Sequence, residues 1–221
     1  MKATTSYKII LVDDQTLFRE SLRMHLDSLE SYRVMAQVAN GQELIDLLET
    51  GTLPDLVMLD LNMPVLDGYD TAAILKKKFP MVKVLVLTMY DSDIALIRVL
   101  KEGVRGFLRK DVDPAELNRA IMSVIEKGYY YSHDINAKLS NAVIRTFDNQ
   151  TTFENSILTE TEIEFLRLAS TDFTYKEIAT RLNLSPRTID HYREGLFAKL
   201  NVRSRVGLAI FAIKHGIVSF D

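Results

Sequence analysis

What constrains this chain most is an alternation, through its first 128 residues, of short uninterrupted apolar runs with stretches of helical periodicity. The runs are Ile9 to Val12, Val34 to Val38, Leu56 to Leu59, Val84 to Leu87 and Val104 to Leu108. A strand with one wet face alternates apolar and polar side chains; a strand covered on both faces need not. Five such runs separated by helices predict an α/β domain, a five-stranded parallel doubly wound sheet. Its last helix carries explicit punctuation: Asp113 as N-cap, Pro114 at the first helical position, Glu116 to close a capping box, and Gly128 as the stop. Leu117, Ile121, Val124 and Ile125 repeat along it at helical spacing.

At 221 residues the chain exceeds the usual size of one domain, so two are expected, each able to bury a core. Apolar residues make up 47% and charged residues 26%, an ordinary globular balance. No run approaches the ~18 apolar residues of a membrane span, and the N-terminus enters its first strand without a signal-peptide core, so a cytoplasmic location is expected. The absence of cysteine fits a reducing compartment and excludes disulfides, thiol catalysis and cysteine-ligated zinc. His25, His133, His191 and His215 lie too far apart for a familiar zinc spacing.

Domain boundaries are expected at 1–128 for the sheet domain, 129–156 for a linker and 157–221 for a small all-α domain. Within the linker Ser132 can cap a short helix bearing Ile135, Leu139 and Val143, followed by the polar stretch Asp148 to Thr152. The three tyrosines from Tyr129 to Tyr131 are expected to pack the end of the last sheet-domain helix. From Thr159 onward the helix starts are clear: Thr159 with Glu162, Thr174 with Glu177, Ser185 with Pro186, and a fourth helix after Ser204. The net charge of −3 conceals an asymmetry, since from Ser156 onward nine Lys and Arg oppose eight Asp and Glu, leaving 18 against 22 before it. The local basic excess after Ser185 could meet phosphates.

In an open parallel sheet, ligands sit at the carboxyl ends of the strands. Asp13 and Asp14 end the first strand, Asp60 the third and Thr88 the fourth, while Lys110 follows the fifth. Three carboxylates repel one another unless a cation joins them, and an all-oxygen set suits Mg2+ with room for a phosphoryl group. A lysine and a hydroxyl beside them can neutralise and hydrogen-bond phosphoryl oxygens. Taken singly, each residue has a plainer role as a helix cap or a surface lysine.

With the run Asp60-Leu61-Asn62-Met63-Pro64-Val65-Leu66-Asp67-Gly68, this constellation resembles the receiver domain of two-component response regulators. The resemblance implies that Asp60 accepts a phosphoryl group from a sensor histidine kinase. It implies that Asp14 and Asp60 ligate Mg2+, with Asp13 acting through water and Asn62 through its backbone carbonyl, and that Thr88 and Lys110 bind the transferred group. Pro64 and Gly68 match the family's turn after the acceptor, where glycine permits a backbone shape denied to other residues. Thr88 and Phe107 take the switch positions, although relatives often carry tyrosine where Phe107 stands.

Asn183 and Leu184 form a tight turn between two short helices, which is helix-turn-helix punctuation. Ile178, Ala179, Leu182, Leu184, Ile189, Leu196 and Leu200 supply the inward face. The segments Leu158 to Leu166, Lys176 to Ala179, Ser185 to Ile189 and Lys199 to Arg205 resemble the LuxR-type domain of NarL/FixJ response regulators. That resemblance implies a recognition helix from Ser185 to Leu200 in the major groove of double-stranded DNA. Arg187, Thr188, Arg193, Lys199, Arg203 and Arg205 would lie at the DNA, mostly on phosphates, with Asp190, His191 and Glu194 at base-reading places. Acidic groups there can accept from the cytosine amino group, or pair with Arg187 and Arg193 to position them. The resemblance further implies that the apolar final helix contributes to dimerisation on DNA, with a homodimer expected on phosphorylation.

The sequence thus points to a phosphorylation-switched transcription regulator, not an enzyme. Two other readings remain open at this stage. A Mg2+-dependent phosphohydrolase would generally need a second acid where Asn62 stands. A binding protein that keeps the fold without the switch would bind DNA equally well after Asp60→Ala.

Overall fold

The structure is a computed structural model, described for residues 6–89, 93–132, 158–215 and 217–218. The expected linker helix and the polar stretch after it lie outside the described residues. Two compact units divide the chain, one built on a parallel sheet, the other on the C-terminal helices.

The sheet unit runs β1 (Tyr7–Val12), α1 (Thr16–Asp27), β2 (Tyr32–Val38), α2 (Gly41–Glu49), β3 (Leu56–Leu59), α3 (Gly68–Lys78), β4 (Lys83–Thr88), α4 (Asp93–Lys101), β5 (Gly106–Arg109), α5 (Pro114–Lys127) and β6 (Tyr130–Tyr131). All pairings are parallel, in the spatial order β2-β1-β3-β4-β5-β6. The apolar runs are buried on both faces, as their lack of alternation requires. Leu11, Met58 and Leu87 join a core with Leu26 of α1 and Ile121 and Val124 of α5, while Ile10, Val57 and Val86 between them are buried as completely.

The order also places a switch point between β1 and β3. From β1 the chain moves outward to β2, then crosses back to β3 and continues the other way. The loops leaving β1 and β3 therefore diverge to opposite sides of the sheet and leave a crevice at its carboxyl edge.

Two sequence expectations are corrected here. The sheet has six strands, because Tyr130 and Tyr131 pair with Gly106 and Phe107 as well as packing near α5. The capping box at α5 is half formed: Asp113 accepts from the Glu116 N–H at 2.9 Å, but the Glu116 carboxylate accepts from the Tyr130 hydroxyl at 3.0 Å. The glutamate is drawn to the added strand, a partner that only tertiary structure supplies.

Gly68 is required for a different reason from the one expected. Its φ is not positive; instead, a Cβ there would stand 2.1 Å from the Asp60 carbonyl oxygen and 2.7 Å from the Leu61 Cα. The residue in the left-handed region is Val65, at φ 70, where a β-branched side chain is strained. Val65→Gly is expected to stabilise the sheet unit by about 1 kcal/mol, since relief of ~1–2 kcal/mol of strain exceeds the ~0.5–1 kcal/mol entropic cost of glycine. Urea unfolding measures it, and a less stable variant would show that the Val65 backbone is unstrained.

The second unit contains α6 (Glu160–Ala169), α7 (Tyr175–Arg181), α8 (Pro186–Lys199) and α9 (Arg205–Lys214). Thr159 and Thr174 each close a full capping box with the glutamate three residues on. Phe165, Leu166, Ile178, Ile189, Leu196 and Leu208 are the buried centre of its core. Among the described residues no helix is long and apolar enough to cross a membrane.

Candidate functional site

The switch-point crevice holds the acidic residues singled out above. The Asp60 N–H donates to the Val12 carbonyl at 2.9 Å and the Lys110 N–H to the Thr88 carbonyl at 2.9 Å, so main-chain bonding carries the sheet geometry up to both side chains. Lys110 Nζ lies 2.7 Å from Asp13 Oδ2 and 2.9 Å from Asp60 Oδ2, with all three side chains at most 6% exposed. The other oxygens are held by main-chain amides: Asp13 Oδ1 accepts from Gln15 at 2.8 Å and Asp60 Oδ1 from Leu61 at 2.8 Å. Asp14 is exposed, yet one oxygen from each of Asp13, Asp14 and Asp60 lies within 4.8 Å of the others. Thr88 is fully buried at the end of β4, and Phe107 is buried in β5 between Val86 and Tyr131.

This arrangement carries more negative charge than it can neutralise. Burial, and then the neighbouring Asp13, push the Asp60 carboxyl up to about 6 against the pull of Lys110 and the Leu61 amide. Burial works to lower the Lys110 pKa, but the two carboxylates outweigh it and raise it. Three carboxylates and one ammonium leave a formal −2, which a divalent cation would cancel. A hard, oxygen-only donor set reaching solvent through Asp14 fits Mg2+, which keeps several of its waters.

In the helical unit, Asn183 at φ 53 turns the chain between α7 and α8, and the Leu184 N–H closes on the Ala179 carbonyl at 2.9 Å. Ser185 caps α8 by accepting from the Thr188 N–H at 3.1 Å. Arg187, Asp190, His191 and Glu194 are exposed on α8 at helical spacing, opposite the buried Ile189 and Leu196. A helix pinned along one side with polar groups on the other is the arrangement that enters a major groove.

Residues 9–122 match the response regulator receiver domain family, and residues 156–212 match the luxR family of bacterial regulatory proteins. The chain is a two-component response regulator of the NarL/FixJ type. It is 32% identical to the transcriptional regulatory protein LnrK of Bacillus subtilis, covering 96% of this chain and 99% of that one. It is 29% identical to the response regulator UvrY of Escherichia coli over 96% of each. Among solved structures it is similar to RcsB from Salmonella enterica serovar Typhimurium bound to the promoter rprA in the presence of the phosphomimetic BeF3−. That likeness is 25% identity and a TM-score of 0.69 over 94% of this chain and 98% of that one.

In this regulator the residues assigned to DNA from sequence do not all face outward. Lys199 binds both carboxylate oxygens of Glu162 at 2.9 and 2.8 Å, tying the end of α8 to the start of α6. Arg205 donates to the carbonyls of Ala169 at 2.9 Å and Thr171 at 2.7 Å, satisfying groups at the end of α6. Arg193 pairs with Asp190 at 2.9 Å and Glu194 at 3.6 Å and lies against the Tyr175 ring. Both acids thus pair with Arg193, whereas Arg187 and Arg203 stand exposed. Sequence could not separate these arginines and lysines, because their partners lie on other helices. The amides of Gln15 and Leu61 were invisible for another reason: every residue has one.

Two measurements follow for the regulator. Asp60 holds its proton to about pH 6 when folded, against 3.8 ordinarily, so between those values the folded state binds more protons and stability falls as pH rises. In EDTA, Asp60→Asn is expected to be more stable than wild type by ~1–3 kcal/mol at pH 7.5, the margin vanishing near pH 4. Urea unfolding across pH checks it, and a margin independent of pH would refute the buried-charge account. Separately, Lys199→Met should cost the helical unit about 1–3 kcal/mol in thermal unfolding without DNA. Arg187→Ala should stay within ~0.5 kcal/mol of wild type.

Proposed function

We propose that Asp60 is the phosphoryl acceptor of this regulator and that its phosphorylation controls DNA binding by the C-terminal domain. The observation that carries this is the buried Asp13–Lys110–Asp60 bridge, which leaves Asp60 held but over-supplied with negative charge beside Asp14. An Asp60 carboxylate oxygen would attack the phosphorus of a sensor kinase's phosphohistidine. The P–O bond forms as the P–N bond breaks, and the imidazole nitrogen leaves with its electron pair. Asp14 and Asp60, with Asp13 through water and the Asn62 carbonyl, would hold Mg2+, which supplies charge neutralisation on the phosphoryl oxygens. Lys110 would turn from the carboxylates to those oxygens, and Thr88 would hydrogen-bond them.

The switch would run through Thr88, Phe107 and α4, biasing an equilibrium that already exists. In the division proposed, 1–128 is the receiver, 129–156 the linker and 157–221 the DNA-binding domain. Arg187, Thr188 and Arg203 would reach phosphates, and Asp190, His191 and Glu194 base edges. Arg193, Lys199 and Arg205 would first have to give up the bonds described above. Val206 and Ile210, 67% and 60% exposed on α9, support a homodimer on two DNA half-sites. A kinase donor and a DNA target together support a cytoplasmic protein without a catalytic turnover of its own.

With acetyl phosphate and Mg2+, wild type is expected to gain the mass of one phosphoryl group and Asp60→Ala none, with DNA affinity changing only in wild type. No mass gain removes the acceptor role. Sustained turnover of small phosphate esters would favour a hydrolase, and equal DNA binding by both proteins would favour a regulator that ignores phosphorylation.

A further inference from the structure

Arg19 lies on α1, outside the acceptor residues, in surroundings unlike those of a surface arginine. Its guanidinium donates to the Asp13 backbone carbonyl and, at 3.4 Å, to the Thr16 hydroxyl. Its Nε is closed off from solvent with no hydrogen-bond partner among the described residues. The side chain lines a cavity beside the acidic cluster whose other walls include Asp13, Asp60, Phe18 and Leu22.

Two physical costs attend this placement. A buried donor without an acceptor opposes folding. A fixed positive charge beside a site for a divalent cation also opposes binding of the ion. Attraction to the surplus negative charge of the cluster offsets part of these costs but does not by itself require a guanidinium on the Asp13 carbonyl. What the guanidinium does supply is a planar, rigid donor on the Asp13 carbonyl, while the Asp13 carboxylate is fixed by the Gln15 amide at 2.8 Å. The turn that presents both Asp13 and Asp14 is thereby held at its main chain and at its side chain.

We propose that Arg19 is a positioning residue for the cation site: it pins the Asp13 main chain so that Asp13 and Asp14 meet the ion with little rearrangement. This rests on the reading of the acidic cluster as a divalent-cation site. Groups outside the ligand shell that orient ligands commonly change metal affinity by about 10- to 100-fold when replaced.

The test is Mn2+ titration of the full-length protein, with free ion followed by electron paramagnetic resonance, for wild type, Arg19→Lys and Arg19→Gln. Thermal melts in EDTA accompany each titration. Positioning requires both variants to bind about tenfold more weakly, since lysine lacks the planar fork and the glutamine amide is two bonds too short to take its place. A charge effect alone gives the reverse order, with Arg19→Gln tighter and Arg19→Lys unchanged, and overturns the proposal. Affinities within about twofold of wild type, even with lowered melting temperatures, reduce Arg19 to a structural residue and also overturn it. Should Arg19→Gln fail to fold, Arg19→Lys decides alone. If wild type itself takes up no Mn2+, the cation-site reading has failed and this inference with it.

Discussion

The contact on which the rest of the first unit depends is the buried bridge from Lys110 to Asp13 and Asp60. One ammonium holds two carboxylates from neighbouring strands in a nearly solvent-free crevice, and a third carboxylate stands at its mouth. Such a site is stable but not satisfied. Low exposure strengthens attraction to Lys110 and repulsion between the acids alike. Burial first, and then Asp13, raise the pKa of Asp60 against the pull of Lys110. A group held at this edge responds strongly to any charge added nearby.

The contacts around the site are tight. Gly68 sits where no Cβ fits against the Asp60 carbonyl, so the end of β3 and the start of α3 are in direct main-chain contact. Lys110 is bonded through its main chain to Thr88, and Phe107 is paired between Val86 and Tyr131. In the helical unit the charges are divided between structure and solvent. Lys199 and Arg205 brace helix ends and Arg193 is neutralised locally, so the outward face of α8 is less basic than its composition suggests.

The strand runs, the capping boxes at Thr159 and Thr174, the left-handed stop at Gly128 and the helix-turn-helix punctuation were legible in the sequence because each depends on residues within one turn or one strand of each other. The meeting of Asp13, Asp60 and Lys110 was also legible: in a parallel sheet the strands end at one edge, so residues at those ends converge for topological reasons. The sixth strand was not, because two tyrosines are too short a run to mark a strand and they pair where β5 offers a free edge.

What the sequence by itself determined is the element order, the caps and the chemistry available at the sheet edge, since periodicity, turn residues and strand ends are short-range properties. What only the tertiary structure decided is how those groups are spent. Glu116 turns to Tyr130 instead of closing its cap, Lys199 and Arg205 serve helix ends, Val65 carries the strain expected of Gly68, and Arg19 reaches the Asp13 carbonyl. In each case the competing partners sit on different elements, and their relative strength depends on distance and burial, which exist only once the chain has folded.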